Sequence, residues 1–144
     1  MDCVYCEDAD IKTRIIAENA TALAFPTNIP ITPGHILIIP KRHVKYYEEL
    51  TIEEKNGIED LRMKLKHALI KAFGAEGFHF AWNEEKIGGQ SIPHFHLHIV
   101  PRKQGDTGIY EYEPRKFLYR PEKERPVSPD EELQKVVKEI KNIL

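Results

Sequence analysis

His94-Phe95-His96-Leu97-His98-Ile99-Val100 decides the reading of this chain, because polar and apolar residues alternate from His94 to Ile99. Alternation with a period of two is the mark of a β-strand, whose successive side chains leave on opposite faces. His94, His96 and His98 then share one face, roughly 7 Å apart at each step, while Phe95, Leu97 and Ile99 share the other and point to a core. A merely solvated face would draw on Lys, Glu and Thr. Three imidazoles in register suit metal ligation, or a nucleophile with supporting donors. Just ahead, Gly88-Gly89-Gln90-Ser91 offers backbone amides free of crowding side chains, an amide and a hydroxyl, which is the chemistry of an anion site.

Working outward, Phe78-His79-Phe80-Ala81-Trp82-Asn83 predicts a second strand, joined to the first by the turn-rich segment 84–90. The near-continuous apolar run His35-Ile36-Leu37-Ile38-Ile39, ended by Pro40, predicts a strand buried on both faces. Residues 14–18 and 21–25 predict a hairpin around Asn19-Ala20. Pro26, Pro30 and Pro33-Gly34 mark a stiff loop. Thr51-Ile52-Glu53-Glu54 is a capping box, so a helix starts there; Ile58, Leu61, Leu65, Ala68, Leu69 and Ala72 extend its apolar stripe to about Phe73, and Gly74 stops it. Ser128-Pro129-Asp130-Glu131 predicts a terminal helix with Ser128 as N-cap and Pro129 at its first position. Residues 103–126 are polar, proline-punctuated and expected to be irregular. Strands and helices segregate, which predicts an α+β fold: an antiparallel sheet of about five strands, one long helix and a C-terminal helix.

Composition limits the function. The 144 residues argue for one domain, and 41% hydrophobic with 31% charged residues is a globular mix. Lys plus Arg, 21, against Asp plus Glu, 23, leaves a formal charge of −2, which supplies no field for gripping a nucleic-acid backbone. Any nucleotide partner is expected to be small and held in a pocket. No stretch of about 18 apolar residues and no signal-peptide pattern is present, so no membrane role is expected and the expected address is the cytoplasm. In that reducing compartment Cys3-x-x-Cys6 reads as metal, redox chemistry or accident.

The histidine strand resembles the His-x-His-x-His-x-x signature of the histidine triad (HIT) nucleotide hydrolases and transferases. Other segments, from about Cys3 to Arg102, are similar to that family in the same order: Asn83 ahead of Gly89-Gln90-Ser91, the stretch Pro33-Gly34-His35-Ile36-Leu37-Ile38-Ile39-Pro40-Lys41-Arg42-His43, and Pro101-Arg102. The resemblance implies that His96 attacks the α-phosphorus of a nucleotide to form a nucleotidyl-histidine. It implies that His98 and His35 contact the phosphate, that Asn83, Gly89 and Gln90 hold its oxygens, and that Ser91 assists the leaving group. A neutral attacking imidazole must donate the proton of its other nitrogen to an acceptor, and the expected one is a backbone carbonyl of this strand. The expected substrate is a nucleoside phosphoramidate or dinucleoside polyphosphate. The alternatives are a nucleotidyl transferase or phosphorylase, and a nucleotide-binding regulatory module with little turnover.

The same resemblance implies a structural Zn²⁺ held by Cys3, Cys6, His43 and His94, a base pocket walled by Val4, Tyr5 and Phe25, and a homodimer. It departs from the family at Thr27, where an acidic residue usually binds the ribose hydroxyls, so Thr27 or Asn28 inherits the sugar. The remaining histidines read blandly: His67 as a surface residue of the long helix, His79 as a structural residue. Lys41 and Arg42 read as solvated cations. In the tail, Arg115, Lys116, Arg120, Lys123 and Arg125 are largely cancelled by neighbouring glutamates, so the segment is expected to flank substrate or a dimer contact.

Overall fold

The computed structural model describes residues 3–106 and 127–144. Two short helices, α1 (Val4–Glu7) and α2 (Ala9–Lys12), lead into strands β1 (Ala17–Glu18), β2 (Ala22–Pro26) and β3 (Ile36–Pro40). Helix α3 (Ile52–Phe73), strands β4 (Gly77–Ala81) and β5 (Leu97–Arg102) and helix α4 (Asp130–Ile143) complete the described elements. The strands form one sheet in the order β1-β2-β3-β5-β4, every neighbouring pair antiparallel. The α+β reading therefore holds. The tail expected to be irregular falls, from residue 107 to 126, outside the described residues.

Strand β3 explains the layering. Ile36 and Ile38 join the main core with Leu61, Leu65 and Leu69 of α3, Leu97 and Ile99 of β5, and Val137 and Ile140 of α4. Leu37 and Ile39 face the other way and pack with Ile11 and Phe25, and with Tyr5. Both faces of β3 are thus covered, which is why its sequence is an unbroken apolar run. His98 lies opposite Leu37 in the β3/β5 register. Laterally paired residues share a face, so the histidine side of β5 lies away from α3, under the amino-terminal segment.

The capping box at α3 forms as the sequence predicts: the Thr51 hydroxyl accepts from the Glu54 amide at 3.1 Å, and the Glu54 carboxylate accepts from the Thr51 amide at 2.9 Å. Gly74 closes the helix in the left-handed conformation at φ 66°. Gly57 permits a close approach, since a Cβ there would meet the Thr21 hydroxyl at 2.1 Å, while Asn19 Nδ2 donates to the Gly57 carbonyl at 2.9 Å. That contact docks the β1–β2 turn onto the helix.

Three boundaries differ from expectation. Regular pairing in the histidine segment begins only at Leu97; His94–His96 runs in after Pro93, and the Phe95 amide donates to the Val44 carbonyl at 2.6 Å, beyond the end of β3. Strand β4 stops at Ala81, two residues early. Helix α4 begins at Asp130 with Pro129 as its N-cap residue at ψ 145°, and Ser128 makes no side-chain cap. The Ser128 amide is instead tied to the Asn28 carbonyl at 2.8 Å, which holds that residue outside the helical turn. Among the described residues no helix is long and apolar enough to cross a membrane.

Candidate active site and metal centre

His96 is 4% exposed, and its Nδ1 lies 2.8 Å from the His94 carbonyl oxygen. A carbonyl only accepts, so Nδ1 carries the proton and Nε2 presents a lone pair. Burial holds the ring's pKa below the ordinary histidine value, outweighing the carbonyl that favours the charged form. The result is a neutral, oriented imidazole. The His98 ring lies beside it at 5.0 Å between centroids, and Tyr5 packs edge-on at 5.2 Å.

His35 lies next to His98. It is 1% exposed; its Nδ1 accepts from the Ile31 amide at 3.0 Å, which puts its proton on Nε2, 2.9 Å from His98 Nδ1. Since His98 Nδ1 is then the acceptor, the neutral His98 carries its proton on Nε2. His35 therefore sets the tautomer of His98. The chain Ile31 amide, His35, His98 converts a backbone donor on a loop into a proton donor beside His96.

The loop donors are also committed. Asn83 Nδ2 donates to the Gly88 carbonyl at 2.7 Å, the Gly89 amide to the Lys86 carbonyl at 3.0 Å, and Gln90 bridges the Lys45 carbonyl and the Glu85 amide at 3.1 and 3.2 Å. Glu85, at φ 63°, takes the left-handed backbone that non-glycine residues avoid, and its carboxylate accepts from Lys45 Nζ at 3.0 Å and from the Tyr46 hydroxyl. Asn83, Gly89 and Gln90 thus brace the 84–90 loop. Asn83 Oδ1 is buried without a partner.

Ser91 is exposed and opens onto a cavity of about 260 Å³ that brings together Val4, Tyr5, Phe25, Thr27 and Asn28, all five residues expected around a nucleoside. Thr27 is buried, and its hydroxyl oxygen accepts from the Ile29 amide at 3.3 Å. The cavity also takes in Asp8 and Arg14, which sequence reasoning did not single out. Arg14 precedes a short strand, and its burial arises only when the amino-terminal segment folds back over the sheet.

On the far side of Tyr5, the ligand atoms of Cys3, Cys6, His43 and His94 all lie within 4.8 Å of one another. His94 Nδ1 is 3.5 Å from both sulfurs, and His43 Nδ1 is 3.5 Å from Cys6 Sγ. Zinc-ligand bonds of about 2.3 Å to sulfur and 2.0–2.1 Å to nitrogen make the edge of a tetrahedron roughly 3.6 Å, so the observed spacing fits a four-coordinate cation. His94 Nε2 donates to the Pro40 carbonyl at 2.9 Å, which leaves Nδ1 as the lone-pair nitrogen toward the sulfurs. Burial pushes His94 down to about 4 and, with the Cys3 sulfur beside it, pushes the Cys6 thiol up to about 11. The imidazole is thus ready to ligate, whereas paired thiolates need a cation to hold them. This is a candidate metal centre.

A HIT domain model matches residues 8–105. The chain belongs to the HIT domain family. An adenosine 5′-monophosphoramidase from Schizosaccharomyces pombe is 34% identical over 111 residues, covering 76% of this HIT chain and 80% of the relative. A bis(5′-adenosyl)-triphosphatase from Dictyostelium discoideum is 33% identical over 113 residues, covering 78% and 72%. Among solved structures, a Zn-bound histidine triad family protein from Mycobacterium smegmatis shares the HIT fold with a TM-score of 0.72 at 24% identity, covering 99% of this chain and 93% of that one.

Proposed function

We propose that this HIT protein is a hydrolase that cleaves a nucleoside phosphoramidate or a dinucleoside polyphosphate at its α-phosphorus. The observation that carries the reading is His96: buried, neutral, its proton given to the His94 carbonyl and its Nε2 lone pair available. The names of the two relatives, a phosphoramidase and a triphosphatase, support the same class. His96 Nε2 forms a bond to the α-phosphorus as the bond to the leaving amine or phosphate breaks. The imidazolium charge that results is stabilised by the carbonyl on Nδ1–H. The His98 Nε2–H donates to the developing charge, and the Ser91 hydroxyl protonates or positions the leaving group. Water then attacks phosphorus, the P–N bond breaks and His96 is restored.

The test is a rapid quench into denaturant at alkaline pH, where a nucleotidyl-histidine P–N bond survives, with adenosine phosphoramidate as substrate and intact mass as the readout. A nucleotidyl adduct on the wild type and none on His96→Asn supports the reading; turnover that survives His96→Asn overturns it. Inorganic phosphate added to the assay distinguishes a phosphorylase, which would release a nucleoside diphosphate. Tight nucleotide binding without turnover would mark a regulatory module.

We further read the sulfur–imidazole cluster as a structural Zn²⁺ site, with Cys3, Cys6, His43 and His94 as ligands and no open position for substrate. Zn²⁺ bound there supplies a cross-link between the amino-terminal segment and the histidine segment. Thiolate ligands persist in a reducing compartment, which favours the cytoplasm. We also propose a homodimer. β4 is an edge strand, and beside it Phe80, Trp82 and Tyr47 are each more than a third exposed, with Tyr47 and Trp82 stacked at 4.8 Å.

A further inference from the structure

The charged groups of the nucleoside cavity answer a question that the mechanism leaves open, namely which base it prefers. Arg14 is 6% exposed, its Nε has no hydrogen-bond partner among the described residues, and its guanidinium carbon stands 6.0 Å from the Phe25 ring centroid. No carboxylate of the described residues forms an ion pair with it. A guanidinium cannot shed its charge, so an unpaired one in a buried wall is costly unless something that enters the cavity supplies acceptors. Asp8 lines the same cavity; one of its oxygens accepts from the Asp10 amide at 2.8 Å, which leaves the second for another donor. Tyr5, Phe25 and Leu37 supply apolar wall, while Thr27, Asn28 and Ser91 add uncharged polar groups.

We propose that Arg14 and Asp8 select guanine over adenine in this cavity, Arg14 donating to the O6/N7 edge and Asp8 accepting from N1–H and the 2-amino group. The proposal rests on the reading of this cavity as the nucleoside site. The Tyr5 and Phe25 rings in the wall offer apolar surface on which a purine can pack. The guanine O6/N7 edge offers two acceptors side by side to the guanidinium fork, whereas adenine sets an amino donor beside N7 and repels it. Asp8 decides against the other ligand that a buried guanidinium could take, a phosphate on the sugar. Its carboxylate would oppose a dianion but complements the donors of guanine.

The experiment is calorimetric titration of the full chain with GMP, IMP and AMP, for wild type, Arg14→Met and Asp8→Asn. GMP should bind about tenfold or more tighter than AMP, from the discrimination one bidentate base contact supplies. Arg14→Met should narrow the GMP/AMP ratio to within about twofold. Asp8→Asn keeps the oxygen that accepts from Asp10 and should bring GMP down to the level of IMP, which lacks the 2-amino group. Arg14→Met should also raise the melting temperature without ligand, since it replaces an unpaired buried charge by an apolar chain of similar length, so loss of preference will not be confused with misfolding. Equal affinity for GMP and AMP, or an Arg14→Met variant that keeps the wild-type ratio, overturns the proposal and leaves the hydrolase reading intact. If none of the three nucleotides binds, the nucleoside-site reading falls and this inference with it.

Discussion

His96 and His98 do different work although two residues separate them. His96 has its tautomer fixed from within the segment, by the carbonyl of His94; His98 has its tautomer fixed from a neighbouring strand end, by His35 and the Ile31 amide. Replacing His96 with Ala or Asn removes the atom that bonds phosphorus in the proposed reaction. Turnover should then be lost while nucleotide affinity changes by less than about tenfold, because the nucleophile acts in the transition state far more than in the ground state. Single-turnover kinetics beside equilibrium binding checks this, and loss of binding in parallel with rate would contradict it. The triad was legible because alternation and residue type both act locally. The bracing roles of Asn83, Gly89 and Gln90 were not, since they depend on how a seven-residue loop closes on itself and on Lys45, 45 positions before Gln90. Arg14 was hidden for a similar reason: nothing in its neighbours says that it will be buried.

At the scale of elements, α3 was read almost to the residue, because both of its ends are specified by side chains within one turn of the boundary. The start of β5 was not, because pairing partners, not alternation, decide where a ladder begins. Helix α4 shows the same limit: Ser128 is a good cap by type, yet a backbone bond to Asn28 places it elsewhere. The α3 cap makes a measurable statement. Thr51→Ala should cost about 1 kcal/mol, read by denaturant titration. Glu54 adds a pH dependence. The Arg42 guanidinium, with bonds of 2.8 and 3.1 Å, holds the Glu54 carboxyl below the usual glutamate range despite its burial, helped by the Thr51 amide. A carboxyl depressed in the folded state contributes stability that is present above its unfolded pKa, about 4.3, and is lost as pH falls through the lower folded value. Wild type should exceed Glu54→Gln in stability above about pH 5, and the gap should close below pH 4. A constant gap from pH 7 to pH 3 would contradict the assignment.

For the whole molecule, two predictions concern how it is held together. Protein purified without added zinc and then supplied with it should carry one equivalent of metal per chain, and Cys3→Ser with Cys6→Ser should lower the melting temperature by several degrees. No metal uptake and unchanged melting would make the cysteines incidental. Sedimentation should show a species of twice 16.7 kDa at micromolar concentration, and Trp82→Glu should convert it to monomer. A wild type that sediments as a single chain overturns the dimer.

Val4 and Tyr5 stand between Cys3 and Cys6 in the chain, so the wall of the proposed nucleoside cavity is also the span between two candidate metal ligands. A cation that clamps those sulfurs holds one side of a container it never touches. By thermodynamic reciprocity, whatever factor the ion lends to nucleotide affinity, the nucleotide must return to the ion. At equilibrium with a chelator the filled protein should therefore retain more of its metal than the empty one, by the same factor that the ion adds to nucleotide affinity.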